Sequence, residues 1–268
     1  MTADEVGTAP PVEGACYVYG IVPEPTDRVP ALDLPGLGDP EAQATFVRHR
    51  GIAAVISTVP TDRPLGSPED LHAHARVLDT LAASTTAVVP FRFGTVLPDV
   101  RTVVEELLEE GRDDFAEILK RLHGQAQFTL RARYVQDAVL REVLGESPAV
   151  ARLRENVATK DEDASYYLRI ELGRAITDAI SCKRQTDTAE IQRRLAPFAV
   201  ATVHAEPSVA EGVVSASFLV PQDKWATFEQ AAEELAVHWH GRIRLRLLGP
   251  LAPYDFVDEA ASEIEEGR

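Results

Sequence analysis

The sequence is poor in sulfur. Two cysteines, Cys16 and Cys182, and one methionine occur in 268 residues. The cysteines lie far apart and have no CxxC spacing, which excludes a disulfide scaffold and predicts a reducing, cytoplasmic setting. No run of about 18 apolar residues is present, so no membrane-spanning helix is expected. The N-terminus lacks a basic region followed by an apolar run, so no signal peptide is expected either. Walker loops, GxSxG, HExxH and EF-hand loops are all missing. Positive charge is scarce: 27 Lys and Arg stand against 43 Asp and Glu, for a formal net charge of -16. Such a balance argues against nucleic acid or an anionic lipid membrane as partner, because counterion release needs cationic patches.

What is there suits a folded protein of about two domains, since 45% of the residues are hydrophobic. The acidity is uneven. Met1–Gly14 holds Asp4, Glu5 and Glu13 with no base, and Asp255–Arg268 holds six acids and one arginine. The ends, 1–14 and 258–268, are therefore expected to be acidic flexible tails on a mildly acidic body.

Cys16–Val22 is β-branched and aromatic and reads as a strand closed by Pro23. Ala44–His49 and Ile52–Val59 read as a hairpin about Arg50-Gly51. Ser67-Pro-Glu-Asp70 is a helix start, with Ser as cap and Pro at the first helical position. Val88–Pro98 is apolar apart from Arg92, which sits between Phe91 and Phe93. Pro98-Asp99 opens a further helix, interrupted at Gly111. At Gly124 the character changes. Gln127–Tyr134 alternates, with Phe128, Leu130, Ala132 and Tyr134 on one face and Thr129, Arg131 and Arg133 on the other. Helices are expected over about 135–156, over a longer stretch carrying Leu168 to Ile180, and near 188–195. Strands at 198–205 and 213–220, a helix at 224–237 and a strand at 242–248 complete the chain.

The expected fold class is therefore α+β in two domains. Residues 15–124 form a small N-terminal α+β domain. Residues 125–257 form a ferredoxin-like (βαββαβ) domain with an enlarged helical crossover.

Candidate chemistry is thin. His72 and His74 point to different helix faces and do not share a metal easily. His238 and His240 flank Trp239 without further ligands at metal-binding spacing. Both pairs read best as solvated or partly packed. Gly36-Leu-Gly38 lacks the third glycine and preceding strand of a dinucleotide fingerprint. Cys182 reads as an inert thiol. No catalytic, cofactor-binding or metal residues are assigned. Arg92 has two readings. One is a buried arginine satisfied by carbonyls or a carboxylate; the other is a ligand anchor. Pro90 and Gly94 favour the first. Arg131 and Arg133 share one face of the second domain's first strand, and Arg242, Arg244 and Arg246 share one face of its last. The ferredoxin-like order makes these strands neighbours. Five like charges on one sheet face call for acids, either from within the chain or from an acidic partner. An RNA-reading face would need stacking aromatics on the same strands, and Val213–Val220 offers only Phe218. The remaining alternative is a ferredoxin-like small-molecule-binding protein or enzyme, with Arg92, His238 and His240 lining a pocket.

Three segments together carry a resemblance. Tyr17-Val-Tyr-Gly-Ile-Val-Pro23, Pro90-Phe-Arg-Phe-Gly-Thr-Val96 and Leu248-Gly-Pro-Leu-Ala-Pro-Tyr-Asp-Phe256 occur in order over nearly the whole chain. In this they resemble the gas vesicle protein family GvpL/GvpF. The resemblance marks Pro90, Phe91, Arg92, Phe93, Gly94, Gly249, Pro250, Pro253 and Tyr254 as structural signature positions. It implies a non-catalytic, two-domain accessory protein of gas vesicle formation. Its implied partners are the small hydrophobic shell protein GvpA and other accessory proteins, and its implied location is the cytoplasm at the gas vesicle.

Overall fold

A strand alternates its side chains between two faces, so it is apolar throughout only when both faces are covered. Strand β1 (Ala15–Pro23) is of this kind and is buried from Cys16 to Val22. The structure, a computed structural model, describes residues 14–25, 31–37, 43–60, 64–84, 86–161, 165–207, 209 and 211–257. The expected acidic tails, apart from Gly14, lie outside the described residues.

β1 runs through the interior of an antiparallel sheet with β2 (Ala31–Pro35), β3 (Gln43–His49), β4 (Ile52–Val59) and the short β5 (Val89–Pro90), in the order β2-β3-β4-β1-β5. A sixth strand, β6 (Val96–Leu97), also pairs with β1. The β3–β4 hairpin turns at Arg50-Gly51, where φ is 44° and 91°. Two successive positive φ values fit the two-residue hairpin turn whose twist matches the strands. One sheet face is covered by α1 (Pro68–Ala83). Ser67 Oγ accepts from the Asp70 N–H at 3.2 Å and Asp70 Oδ2 accepts from the Ser67 N–H at 3.1 Å, a capping box. Val77, Leu78, Leu81 and Ala82 of α1 pack on Tyr17, Tyr19, Val22 and Val55. Further helical structure packs against β1, β3 and β4. It comprises α2 (Val100–Thr102), a π-helical stretch (Val103–Glu109) and α3 (Arg112–Arg121).

The chain divides into two compact units, 1–126 with 250–268, and 127–249. The last residues of the expected second domain, 250–257, thus fall with the first unit. The reason is packing: Ala252 is 1% exposed and belongs to the same core cluster as Tyr17 and Leu78.

The second unit begins with β7 (Gln125–Tyr134), followed by α4 (Gln136–Glu146), α5 (Pro148–Ala158) and α6 (Tyr166–Leu195). Then come β8 (Ala201–Ala205), β9 (Gly212–Pro221), α7 (Trp225–His238) and β10 (Ile243–Leu251). Its sheet has the order β10-β7-β9-β8. The two helices expected between residues 168 and 195 are one helix of 30 residues. Neither Pro nor Gly stands between Ile180 and Thr188 to end it. Phe128, Leu130, Ala132 and Tyr134 of β7 pack with Phe218, Phe228, Leu235, Ile191 and Leu195.

Two landmarks fix how β10 lies on β7. The Val135 N–H donates to the Arg242 carbonyl at 2.9 Å. Seven residues toward the start of β7 and seven further along from Arg242, a Cβ on Gly249 would sit 2.3 Å from the Phe128 ring. Both belong to a single antiparallel register. Gly249 is thus a residue with no room for a side chain. Gly249→Ala should destabilise the chain by about 1–3 kcal/mol, the usual cost of overpacking. Urea unfolding would read this as a lower midpoint; an unchanged midpoint would mean that Phe128 does not hold the strand.

Candidate functional site

The three signature segments meet in the first unit around one histidine. His74 projects from α1 toward β1, one helical turn before Leu78. It is 5% exposed. Its Nδ1 lies 2.8 Å from the Tyr17 hydroxyl and its Nε2 lies 2.7 Å from the Tyr254 hydroxyl. The Gly94 N–H donates to the same Tyr17 oxygen at 3.2 Å. Phe93 completes the cluster, its ring 5.8 Å from Tyr17 and 5.6 Å from His74. Ala252, two residues before Tyr254, donates its N–H to Asp79 Oδ1 at 3.2 Å. Beside this, the Leu37 N–H donates to Tyr19 Oη at 2.6 Å, and Ser57 Oγ, 3.0 Å from that phenol, donates to the Leu37 carbonyl.

A neutral imidazole has one donor and one acceptor. One phenol therefore donates to His74 and the other accepts from it, and both ring nitrogens are satisfied. Burial pushes the His74 pKa below its ordinary value, while a hydrogen bond to the Phe91 carbonyl works the other way. Burial pushes Tyr17 up to about 12, and burial raises Tyr254 as well. None of these groups is poised to exchange a proton near neutral pH. The cluster is a hydrogen-bonded pin between α1, β1 and the C-terminal segment.

The other signature residues serve the same packing. Pro90 pairs with Gly20, the Phe91 N–H donates to the Tyr19 carbonyl at 2.8 Å, and the Phe91 ring lies 5.9 Å from Phe115. Pro250 is half-buried and Pro253 is buried. Arg92 does not follow its preferred reading: it is exposed, not a buried charge. The strand ends at Pro90, so Arg92 lies in the turn after it, where its carbonyl accepts from Thr95 Oγ1 at 2.9 Å.

The second unit holds a different polar cluster, built on Arg242. Its Nη1 and Nη2 donate to Asp187 Oδ1 and Oδ2 at 3.0 and 2.8 Å, and its Nε donates to Glu142 at 2.7 Å. Tyr134 donates to Asp187 at 2.6 Å. Lys183 bridges Glu142 and Glu146 at 3.2 and 2.7 Å. Burial acts against the Arg242 charge, but the bonds to Asp187 and Glu142 outweigh it and raise its pKa. Arg242 is thus bound on the helix side of the sheet by α4 and α6, which corrects its placement among five outward arginines. β10 begins at Ile243, one residue too late for Arg242 to share the strand's alternation. Arg131, Arg133, Arg244 and Arg246 are exposed.

His238 and His240 are exposed, and neither lines the cavities of about 260 and 390 Å³ in the second unit. Arg92 belongs to the first unit and both histidines to the second, so the postulated Arg92–histidine pocket is not assembled within either. Among the described residues, no group of three or more His, Cys, Asp or Glu could hold a metal ion. No helix among them is long and apolar enough to cross a membrane. Sequence reasoning named His74 only as a solvated or partly packed histidine, whereas it is buried, and it missed Asp79, Glu142 and Asp187.

The chain is a protein of mixed α and β structure in two units, and its signature residues Tyr17, Gly94 and Tyr254 meet at the pin within the first. The family model described as Gas vesicle synthesis protein GvpL/GvpF matches residues 15–258, and the chain belongs to that family. Gas vesicle protein F of Streptomyces sp. (strain CB03234) is 32% identical over 244 residues, covering 90% of this chain and 99% of that protein. Gas vesicle protein L of the same strain is 27% identical, covering 93% of this chain and 95% of that one. The crystal structure of the gas vesicle protein GvpF from Anabaena sp. PCC7120 has the same fold, with a TM-score of 0.78 at 23% identity over 91% of this chain and 98% of that one.

The His74 pin makes stability depend on pH. The folded pKa of His74 is depressed, so the unfolded chain takes up the proton first. Stability is present above about pH 6.5 and is lost as pH falls below it. Asp79, raised by burial, opposes this at lower pH. Chemical denaturation between pH 7.5 and 5 should show the loss in the wild type and not in His74→Phe; equal pH slopes would contradict a neutral, buried His74. Tyr254→Phe should cost about 1–3 kcal/mol at pH 7.5, because it leaves His74 Nε2 without its partner.

Proposed function

We propose that the chain is a gas vesicle accessory protein that works by protein–protein contact and performs no catalysis. It holds subunits of the shell protein GvpA, and other accessory proteins, while a vesicle forms in the cytoplasm. Apolar surfaces on such subunits would otherwise aggregate. The second unit is a ferredoxin-like fold with an enlarged first crossover; its element order and its sheet order β10-β7-β9-β8 support this. The signature residues keep the fold, and the contact surface lies elsewhere.

Family membership supports the vesicle role, and one observation carries the reading of contact. Arg131, Arg133, Arg244 and Arg246 are exposed on neighbouring strands. His74 and Arg242, by contrast, have their polar groups engaged inside their own units. Side chains of one charge left together on an exposed sheet face suit a partner surface of the other charge.

Deletion of the chain in a vesicle-producing cell tests the reading. Electron micrographs should show few or no vesicles, and a tagged copy should co-purify with the shell protein. Normal vesicle numbers without co-purification would overturn it.

A further inference from the structure

Resting on that reading, we propose that the arginine face of β7 and β10 binds an extended, carboxylate-rich segment of a partner protein. The register described above sets Arg133 opposite Arg244 and Arg131 opposite Arg246, from the Val135–Arg242 hydrogen bond at one end and the Gly249–Phe128 contact at the other. Directly opposed residues of an antiparallel pair have Cβ atoms about 5 Å apart, and like charges there are destabilising. The face therefore holds two repelling pairs. Among the described residues, none of these four arginines has a hydrogen bond or ion pair from its side chain. Arg242, a residue away from the strand, takes two carboxylates for itself.

The geometry selects the shape of the occupant. Arg131 and Arg133, like Arg244 and Arg246, are two residues apart on a strand, which places their side chains about 6.6 Å apart. An extended peptide repeats its same-side positions at this spacing. Acids at alternate positions can therefore meet both rows, and the planar guanidinium fork takes a carboxylate through two parallel hydrogen bonds. A cavity of about 260 Å³ adjoins Arg131 and Arg133 and is also lined by Glu206, Pro207 and Ser215. It is below the usual size of a small-molecule site and suits one or two side chains. Glu206 repels anions there, so the acidic run lies toward β10. Nucleic acid is disfavoured, since Phe128 and Phe218 are fully buried, and the β9 residues that alternate with Phe218 are Ser215, Ser217 and Leu219, none of them aromatic and the last two buried. The face has no exposed ring for a base to stack on.

The test uses the full chain and a fluorescein-labelled peptide of alternating Glu and Ser, read by anisotropy. Binding should weaken with added salt and should fall about tenfold or more in Arg131→Gln/Arg246→Gln, and a Lys-Ser peptide should not bind. Arg244→Glu supplies the second arm. It places an opposite charge beside Arg133, so it should raise the thermal midpoint of the free chain while weakening the peptide. A wild type that does not bind the peptide would overturn the proposal. So would a double variant that binds equally, or a single-stranded oligonucleotide that displaces the peptide as well as the peptide displaces itself. If the peptide binds but deletion leaves vesicles unchanged, the vesicle role fails and this inference stands.

Discussion

His74 has both ring nitrogens bonded to phenols, and the architecture of the first unit depends on that arrangement. Tyr17 comes from the central strand, His74 from the covering helix, and Tyr254 from the far end of the chain. Each net hydrogen bond contributes about 1 kcal/mol, which is small. The cost of losing one is larger, because the imidazole is buried and water does not replace the partner. This asymmetry makes the pin selective. The C-terminal segment must bring Tyr254 to His74, and the turn after β5 must bring the Gly94 amide to Tyr17. The signature residues Tyr17, Gly94 and Tyr254 are thereby committed to holding backbone segments in place.

Arginine shows the contrast between structural and available polarity. Arg242 is surrounded by Asp187, Glu142, Tyr134 and Trp239. These pairs are partly buried, so each adds little net stability, while removing one partner leaves the other charge half out of water and is the costlier change. Arg244 and Arg246, on the strand that follows, are exposed and face Arg131 and Arg133. One residue type thus serves two ends, and the difference is set by where the strand begins after Gly241. The exposed charges of one sign on β7 and β10 suit the contact proposed above.

Much of this was legible in the sequence where the signal is local. The strand β1, the alternation along β7, the Ser67-capped start of α1 and the Arg50-Gly51 hairpin all follow from a few adjacent residues. Signals that depend on distant partners were not legible. His74 finds Tyr254 at a separation of 180 residues, and no spacing rule connects them. Arg92 looked buried because its neighbours are apolar, yet the strand stops at Pro90 and the turn carries the side chain outward. Arg242 looked outward because alternation was extended one residue before the strand begins. The segment 250–257 looked like the end of the second domain, because an extended run does not reveal which core it joins.

On the proposed reading the signature residues keep the fold and the arginine face makes the contact. Complementation of a deletion strain tests it, with vesicles counted per unit of accessory protein measured by immunoblot. Arg131→Gln/Arg246→Gln should fail to restore vesicles at wild-type protein level, whereas Tyr254→Phe should lose vesicles only in proportion to its own reduced level. Full restoration by the arginine variant, with failure of Tyr254→Phe at undiminished level, would contradict it.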